Sequence, residues 1–267
     1  MTAQNSPTRI FLINVGANKK QESRARSPLF LDRKEGRDFC YVPFYSLEPT
    51  EATREYPEEC LEFLNPRYRA DISGRAHDDP DWPNLTYGDC CKLGRGAALK
   101  SANVNDIFLF WGRLSHNSGR GWKGFTGRKG WYLFGCLRIQ EKLFASKIDA
   151  LAAPDRKRAL QNIHFRNEKE LPQDDYVFVG NPSYSALFPR AINLGVEDKN
   201  GLLYRAFTAA DGSKLSRNGK PEWSSSLRTC RIVIDLGNKA HEKRAKILQT
   251  SVAEDTHFDL FKDIKGW

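Results

Sequence analysis

The sequence predicts an α+β protein in which a mixed, mainly antiparallel β-barrel or strongly curved sheet is surrounded by helices. Three segments support this fold class, because apolar and β-branched runs bounded by turn residues are typical of strands: 9–15, 106–111 and 131–139. Both faces of the segment 106–111 (DIFLFW) are apolar, which indicates a strand that is covered on both sides.

The remaining elements follow from similar patterns. A second strand is predicted at 38–44, and a short helix at 92–101 is expected to follow Asp89, a suitable N-cap residue. Further segments complete the predicted inventory: a short helix at 58–64, a helix at 146–161, strands at 176–179, 184–188, 203–207 and 230–235, and a surface helix at 240–249.

Charge and length indicate the kind of partner and the domain organisation. The chain carries 42 Lys and Arg against 33 Asp and Glu, so its net charge of +9 favours polyanionic partners such as nucleic acids. Its 267 residues fit a single domain, which we place at 1–267. No apolar window approaches the ~18–20 residues of a membrane span. The first residues lack the apolar core of a signal peptide, so we expect a cytoplasmic protein with no membrane partner.

Several cofactor motifs are missing from the sequence. It contains no G-x-G-x-x-G and no Walker A pattern, which argues against Rossmann and P-loop nucleotide sites. Its six cysteines form no C-x-x-C pair, which argues against a zinc ribbon. We therefore assign no cofactor.

The connection 113–130, between the two central strands, is the best candidate for nucleic-acid contact. It holds five glycines and no acidic residue, together with five cations: Arg113, Arg120, Lys123, Arg128 and Lys129. Glycines let a backbone approach a phosphate chain closely, and cations neutralise it. The alternative is a flexible hairpin whose charges serve solubility.

Aromatic residues at the inner ends of this connection suggest a pocket for a base. Trp111, Trp131 and Tyr132 would supply the aromatic faces, and Asn14 and Ser27 would supply polar groups near the ends of neighbouring elements. The alternative is that the aromatic residues belong to the core, as aromatic strand residues usually do.

Three residues are candidates for a catalytic role, although no set of roles can be assigned. Tyr87 and Asp89 flank Gly88, and His164 would supply a proton donor. The alternatives are an N-cap for Asp89, core packing for Tyr87 and a structural histidine at 164.

The acidic run after His77 has hard-ligand character: Asp78, Asp79 and Asp81. Acidic runs that contain proline are more often solvated loops, so we assign no metal here.

The segment 103–143 resembles a block found in PUA-like domains of the EVE, ASCH and YTH group. That block consists of an aspartate-led apolar strand, a variable loop and a return strand with a central glycine, here 106–112 and 131–139 with Gly135. The resemblance implies a PUA-like core at about 9–236, followed by a helical extension at 237–267.

A closer resemblance is to the family called nucleotide modification associated domain 3. Its ordered elements are matched here by an opening strand, a Ser-Pro-apolar element, a strand ending in proline, a Tyr-Gly-Asp element, the central strand pair and a histidine: 9–15, 27–29, 41–43, 87–89, 106–112, 135–137 and His164. The resemblance implies a link to phage and bacterial systems that handle hypermodified DNA bases.

We therefore expect a module that binds nucleic acid or a modified nucleotide in a base-modification or phage-defence setting. The alternatives are an enzyme that modifies a base or nucleotide, and a scaffold subunit that binds partner proteins of a modification complex. Whether the chain is an enzyme stays open in the sequence.

Overall fold

The computed structural model describes residues 8–16, 21–31, 33, 35–46, 53–90, 97–150, 153–166, 175–193, 216–217, 220–221 and 232–264. The strands are β1 (Arg9–Asn14), β2 (Ser27–Leu29), β3 (Phe44–Tyr45), β4 (Ala76–His77), β5 (Thr86–Cys90), β6 (Ile107–Asn117), β7 (Phe125–Phe144), β8 (Asp175–Gly180), β9 (Ala186–Asn193), β10 (Ser216–Arg217), β11 (Lys220–Pro221) and β12 (Ile232–Asp235). The α-helices are α1 (Arg69–Ile72), α2 (Ala153–Gln161) and α3 (Lys239–Thr256), and the 3-10 helices are η1 (Glu58–Phe63), η2 (Ala97–Ser101), η3 (Gly121–Gly124) and η4 (Ala145–Ala150).

One mixed sheet organises the fold. Its strand order is β12-β1-β6-β7-β8-β5, with β2 added to β6 and β9 added to β7. β1 and β2 run parallel to β6, and the other pairings in this sheet are antiparallel. The predicted α+β class and mixed sheet are confirmed. In the described part of the chain β12 and β5 do not pair with each other, so no closed barrel forms and the PUA-like barrel is not confirmed.

The long strand β7 connects the two halves of the sheet. Its first part pairs with β6 and β9, and its last residues, from Ile139 onward, pair with β8 with a register shift between Ile139 and Glu141. Irregular register lets a strand bend and re-aim its pairing edge. One strand of 20 residues therefore serves both halves.

The connection between the central strands is shorter than the sequence predicts. β6 continues to Asn117 and β7 begins at Phe125, so most of 113–130 is paired strand. Arg113 lies opposite Trp131, and Leu114 lies opposite Gly130. Cross-strand pairing outweighs the turn preference of the glycines, because pairing and burial depend on neighbours that local composition does not show.

Side chains alternate between the two faces of the sheet and form two apolar cores. On one face, Ile10, Leu109 and Leu133 pack beneath α3, which contributes Leu248 and Val252 at 0% exposure. The helical segment after residue 236 is thus an integral layer of the fold. Asn238 caps α3, its side chain accepting a hydrogen bond from Ala240 N at 3.0 Å.

The opposite face carries a second, aromatic core. Phe11, Phe108 and Phe134 lie here, and Tyr41 and Tyr87 cover them. The chain between β2 and β5 packs on this side, and it builds the candidate site.

Three other sequence expectations concern single elements. The predicted helix 146–161 is divided into η4 and α2, and the predicted strand 203–207 lies outside the described residues. Asp89 lies within β5, opposite Tyr176, and is therefore not a helix N-cap. No helix among the described residues is long and apolar enough to cross a membrane.

Candidate functional site

One stretch of chain, from β4 to β5, positions most polar groups of the candidate site. β4 pairs with β3, so that His77 lies opposite Phe44 with their ring centroids 4.5 Å apart. Beyond β4, backbone hydrogen bonds of 2.9 and 3.1 Å between Asp81 and Thr86 close a tight loop. This loop turns the chain back, so β5 runs beside Asp79.

Asp79 lies at the centre of this arrangement and is only 4% exposed. The Gly88 amide donates to both of its carboxylate oxygens, at 3.0 and 3.3 Å, and Asn162 Nδ2 donates to Oδ1 at 3.0 Å. The Tyr41 hydroxyl donates to the backbone carbonyl of Asp79 at 2.9 Å. Burial raises the pKa of the Asp79 carboxyl well above its usual value, although both donors favour the charged form.

His164 packs directly on β5 because position 88 has no side chain. A Cβ on Gly88 would lie 2.6 Å from Cδ2 of His164 and 2.7 Å from Oδ1 of Asn162. That same Oδ1 accepts a hydrogen bond from the His164 amide at 3.0 Å. The imidazole is thereby held with Nε2 3.6 Å from Oδ2 of Asp79.

His77, Asp79 and His164 form a cluster, which we call the His–Asp–His cluster. Their possible ligand atoms all lie within 4.8 Å of one another, and the two imidazole rings meet edge to face at 5.1 Å. Burial lowers the pKa of His77 to about 3 and that of His164 to about 4, so both rings are neutral near pH 7. Two neutral imidazoles and a carboxylate are a donor set that first-row divalent metals accept.

The neighbouring carboxylates are paired with Arg54. Its guanidinium lies 3.4 Å from Asp78 Oδ2 and 3.3 Å from Asp81 Oδ2. The acidic run is therefore buried and ion-paired, which corrects the expectation of a solvated loop. Burial raises the pKa of Asp78 to about 6.

A cleft of about 750 Å³ opens beside this segment. Its walls combine aromatic rings, two arginines and three carboxylates: Phe30, Arg33, Arg37, Phe39, Tyr41, Glu59, Glu62, Phe63, Asp78 and Trp82. A volume of this order suits a ligand of nucleotide size.

A second cleft of about 430 Å³ extends the first. The two share Phe30, Arg33 and Glu62, and the second is completed by Asn117 to Gly119 at the tip of the β6–β7 hairpin. We call the two clefts together the groove. It runs from Asp78 to the hairpin tip.

Two of the five predicted nucleic-acid contacts are engaged within the protein. Arg113 Nε lies 2.8 Å from Glu22 Oε1, and Lys129 Nζ lies 3.1 Å from Glu22 Oε2. The Arg113 guanidinium also lies over the Trp131 ring, 5.7 Å from its centroid. Although the segment itself contains no acid, Glu22 partly neutralises it.

The other three predicted contacts, Arg120, Lys123 and Arg128, are exposed at and near the hairpin tip. Gly121 lets the tip approach η1, because a Cβ there would lie 2.9 Å from the carbonyl oxygen of Glu62. The tip is therefore packed against the wall of the groove and presents its cations at that end.

The residues predicted to form a base pocket do not come together. Trp111 and Trp131 meet edge to face at 5.3 Å in the core beneath α3, at 3% and 7% exposure. Tyr132 belongs to the opposite core, within 3.3 Å of the His116 ring. Because adjacent strand residues point to opposite faces, Trp131 and Tyr132 cannot line one pocket.

The two polar members of that prediction hold backbone groups. Asn14 donates from Nδ2 to the carbonyl of Trp111 at 3.3 Å. Ser27 Oγ accepts from the Val42 amide at 3.0 Å. Both are buried and brace neighbouring segments.

The three catalytic candidates are also divided. Tyr87 packs on Phe108 and Phe110 and its hydroxyl lies 3.5 Å from Oδ2 of Asp89. These two side chains share one face of β5, whereas His164 packs where Gly88 faces, on the other side. Only His164 joins the cluster.

Sequence reasoning missed the residues that hold the cluster together. Asn162, Tyr41 and the Gly88 amide fix Asp79 from three separate segments of the chain. The signal in the sequence was the spacing of Asn162 and His164. An asparagine side chain can accept a hydrogen bond from the backbone amide two residues later, as Asn162 does from His164.

The fold and the site define a mixed α+β protein with an aromatic, charged groove beside a buried His–Asp–His cluster. A family model described as nucleotide modification associated domain 3 matches residues 9–244. The chain belongs to this family, whose name associates it with nucleotide modification. Curated proteins and solved structures give no match.

Proposed function

We propose that this chain binds nucleic acid or a modified nucleotide in the groove, as part of a DNA base-modification or phage-defence system. The observation that carries the proposal is the continuity of the groove with the hairpin tip, which joins an aromatic cleft to exposed cations.

The groove supplies the contacts that a base requires. Phe30 is partly exposed on its wall, and an aromatic face stacks any base. Glu59 and Glu62 offer carboxylates to the amino groups of a base edge, and Arg33 and Arg37 offer guanidinium groups to phosphates. The carboxylates of this wall would repel a phosphate group. The groove therefore favours contact with a base over contact with the phosphate backbone.

The hairpin tip supplies the electrostatic contact. Arg120, Lys123 and Arg128 are exposed, and the backbone of a strand that enters the groove would pass them. Binding should therefore weaken steeply with salt, because each neutralised phosphate releases a counterion.

Fluorescence anisotropy of a labelled DNA oligonucleotide, titrated at several salt concentrations, tests this assignment. The triple variant Arg120→Ala/Lys123→Ala/Arg128→Ala should bind at least tenfold more weakly at low salt. Its log K against log salt slope should fall by up to about 3, since each lost phosphate contact removes about 0.9. A triple variant on the far side of the sheet is the matched control, with the same charge change: Lys239→Ala, Lys243→Ala and Lys246→Ala.

A substitution in the groove separates base contact from charge. Phe30→Ala should cost about 1–3 kcal/mol of binding energy with an unchanged salt slope, because stacking is not electrostatic. The proposal would be contradicted if the α3 lysine variant lost as much DNA affinity as the hairpin-tip variant. It would also be contradicted if the parent protein did not bind DNA at low salt.

A second candidate function is an enzyme that modifies a base or nucleotide. It is favoured by the 3.6 Å approach of His164 Nε2 to Asp79 Oδ2, on a segment whose neighbour Asp78 lines the groove. Mass spectrometry of nucleosides from cells with and without the gene separates the two. An unchanged nucleoside profile together with intact DNA binding supports the binding module.

A further inference from the structure

We propose that His77, Asp79 and His164 bind one divalent first-row transition-metal ion and leave coordination positions open to water. This site does not depend on DNA binding, and it is tested without nucleic acid.

The spacing of the cluster matches that of ligands around a metal ion. Donors at about 2.0–2.1 Å from a metal lie roughly 3.0–3.4 Å apart around it. The Asp79 and His164 donors are already 3.6 Å apart, and all three donors fall within 4.8 Å. The three donor atoms must move closer together by about 1 Å to coordinate one ion. Small rotations of the side chains supply this movement.

The Asp79 carboxylate is oriented for this role. Its Oδ1 accepts hydrogen bonds from the Gly88 amide at 3.0 Å and from Asn162, whereas Oδ2 receives only the longer 3.3 Å contact from Gly88 and faces His164. Outer partners of this kind hold a ligand oxygen in place and leave the other one for the metal. Asn162 Oδ1 also accepts a hydrogen bond from the His164 amide, so the Asn162 side chain positions two of the three ligands.

The type of donor narrows the class of ion. Two imidazoles and one carboxylate suit ions such as zinc, iron(II), cobalt or manganese, whereas magnesium and calcium prefer oxygen ligands throughout. Three protein ligands leave at least one position for water, unlike a closed structural site. The His164 side chain retains 19% exposure, which gives an ion a path from solvent.

A plain ion pair accounts for less of this geometry. Pairing of His164 with Asp79 explains two members of the cluster but gives no reason for the His77 ring to lie 5.1 Å from that of His164. A single metal ion coordinated by all three side chains explains why two imidazoles lie beside one carboxylate.

Metal titration of the purified full chain tests the proposal. After treatment with a chelator, the protein is titrated with Co²⁺ by absorbance and with Zn²⁺ by calorimetry. We expect one equivalent of each, with Co²⁺ bands of nitrogen and oxygen ligation and no thiolate charge-transfer band. Asp79→Asn retains an oxygen that accepts from Gly88, and His77→Phe retains the stacking on Phe44. Each should bind at least tenfold more weakly with an unchanged circular dichroism spectrum.

Two controls separate this site from other donors. His257→Asn changes an exposed histidine in a left-handed conformation that asparagine tolerates, and it should bind as tightly as the parent. Cys40→Ser removes one of two thiols that lie 3.7 Å apart, Cys40 and Cys60, and so tests whether a thiol pair binds the ion instead. Unchanged affinity in both cluster variants, loss in Cys40→Ser alone, or no binding of either ion by the folded parent would overturn the proposal. If both cluster variants fail to fold, a thiolate band in the parent overturns it and its absence with one equivalent bound supports it.

Discussion

Replacement of Gly88 by alanine should destabilise the protein, because it disturbs the packing of His164 and Asn162 around Asp79. The new Cβ would lie 2.6 Å from Cδ2 of His164, 2.8 Å from its Cβ and 2.7 Å from Oδ1 of Asn162. Carbon atoms pack best at about 3.5–4.0 Å, so the histidine must move by about 1 Å. Overpacking of this kind costs about 1–3 kcal/mol.

Displacement of Asn162 would also disturb its hydrogen bond to the buried Asp79 carboxylate. An unsatisfied buried polar group costs about 1–3 kcal/mol. The stiffer unfolded chain of an alanine variant offsets at most about 1 kcal/mol. Together these effects lower the free energy of unfolding by about 3 kcal/mol, which corresponds to roughly 6–12 °C in Tm for a chain of this size.

Urea and thermal unfolding followed by circular dichroism measure the effect. Gly127→Ala is the comparison, because that glycine has a φ of +85° but no atom within 4 Å of its Cβ position. It should cost about 1–2 kcal/mol from backbone strain alone. If Gly88→Ala costs no more than Gly127→Ala, the close approach of His164 to β5 is refuted.

Three further predictions concern charge and packing. Glu22→Gln should release Arg113 and Lys129 for contact with phosphates. DNA affinity at low salt should then rise, and the salt slope in the anisotropy titration should steepen by up to about 2. Unchanged affinity and slope would contradict the pairing of Arg113 and Lys129 with Glu22. Trp111→Ala should lower the free energy of unfolding by about 3–5 kcal/mol, measured by urea denaturation, because the ring is core; a stable variant with a selective loss of DNA binding would restore the base-pocket interpretation. The buried Asp106 carboxylate accepts hydrogen bonds from the Arg9 and Asn103 backbone amides, both at 2.9 Å, and lies 2.7 Å from the Arg9 guanidinium. Asp106→Ala should therefore cost about 2–4 kcal/mol in the same assay; a cost under about 0.5 kcal/mol would show that water replaces the carboxylate.

The central strands could be predicted from the sequence because their signal is local. The run DIFLFW is apolar on both faces, and the structure buries it between two cores. Periodicity and turn residues carry such information over a few residues. The extent of the hairpin could not be read this way, because Arg113 and Lys129 lie on paired strands despite their glycine-rich surroundings.

The site depended on contacts between distant parts of the chain. Asn162 and Asp79 are 83 positions apart, and Lys129 and Glu22 are 107 positions apart. No local pattern shows that a glycine at 88 admits His164 beside Asp79. The sequence therefore placed His164 and the acidic run in separate candidate sites, whereas the structure brings His77, Asp79 and His164 together.

Ultraviolet crosslinking of the full chain to bromouracil-containing DNA, with peptides identified by mass spectrometry, shows which residues contact the nucleic acid. Crosslinks should map to the groove wall around Phe30 and Trp82 and to the hairpin tip at 118–124. Crosslinks confined to α3, or none at low salt under conditions that link a control DNA-binding protein, would contradict binding of DNA in the groove.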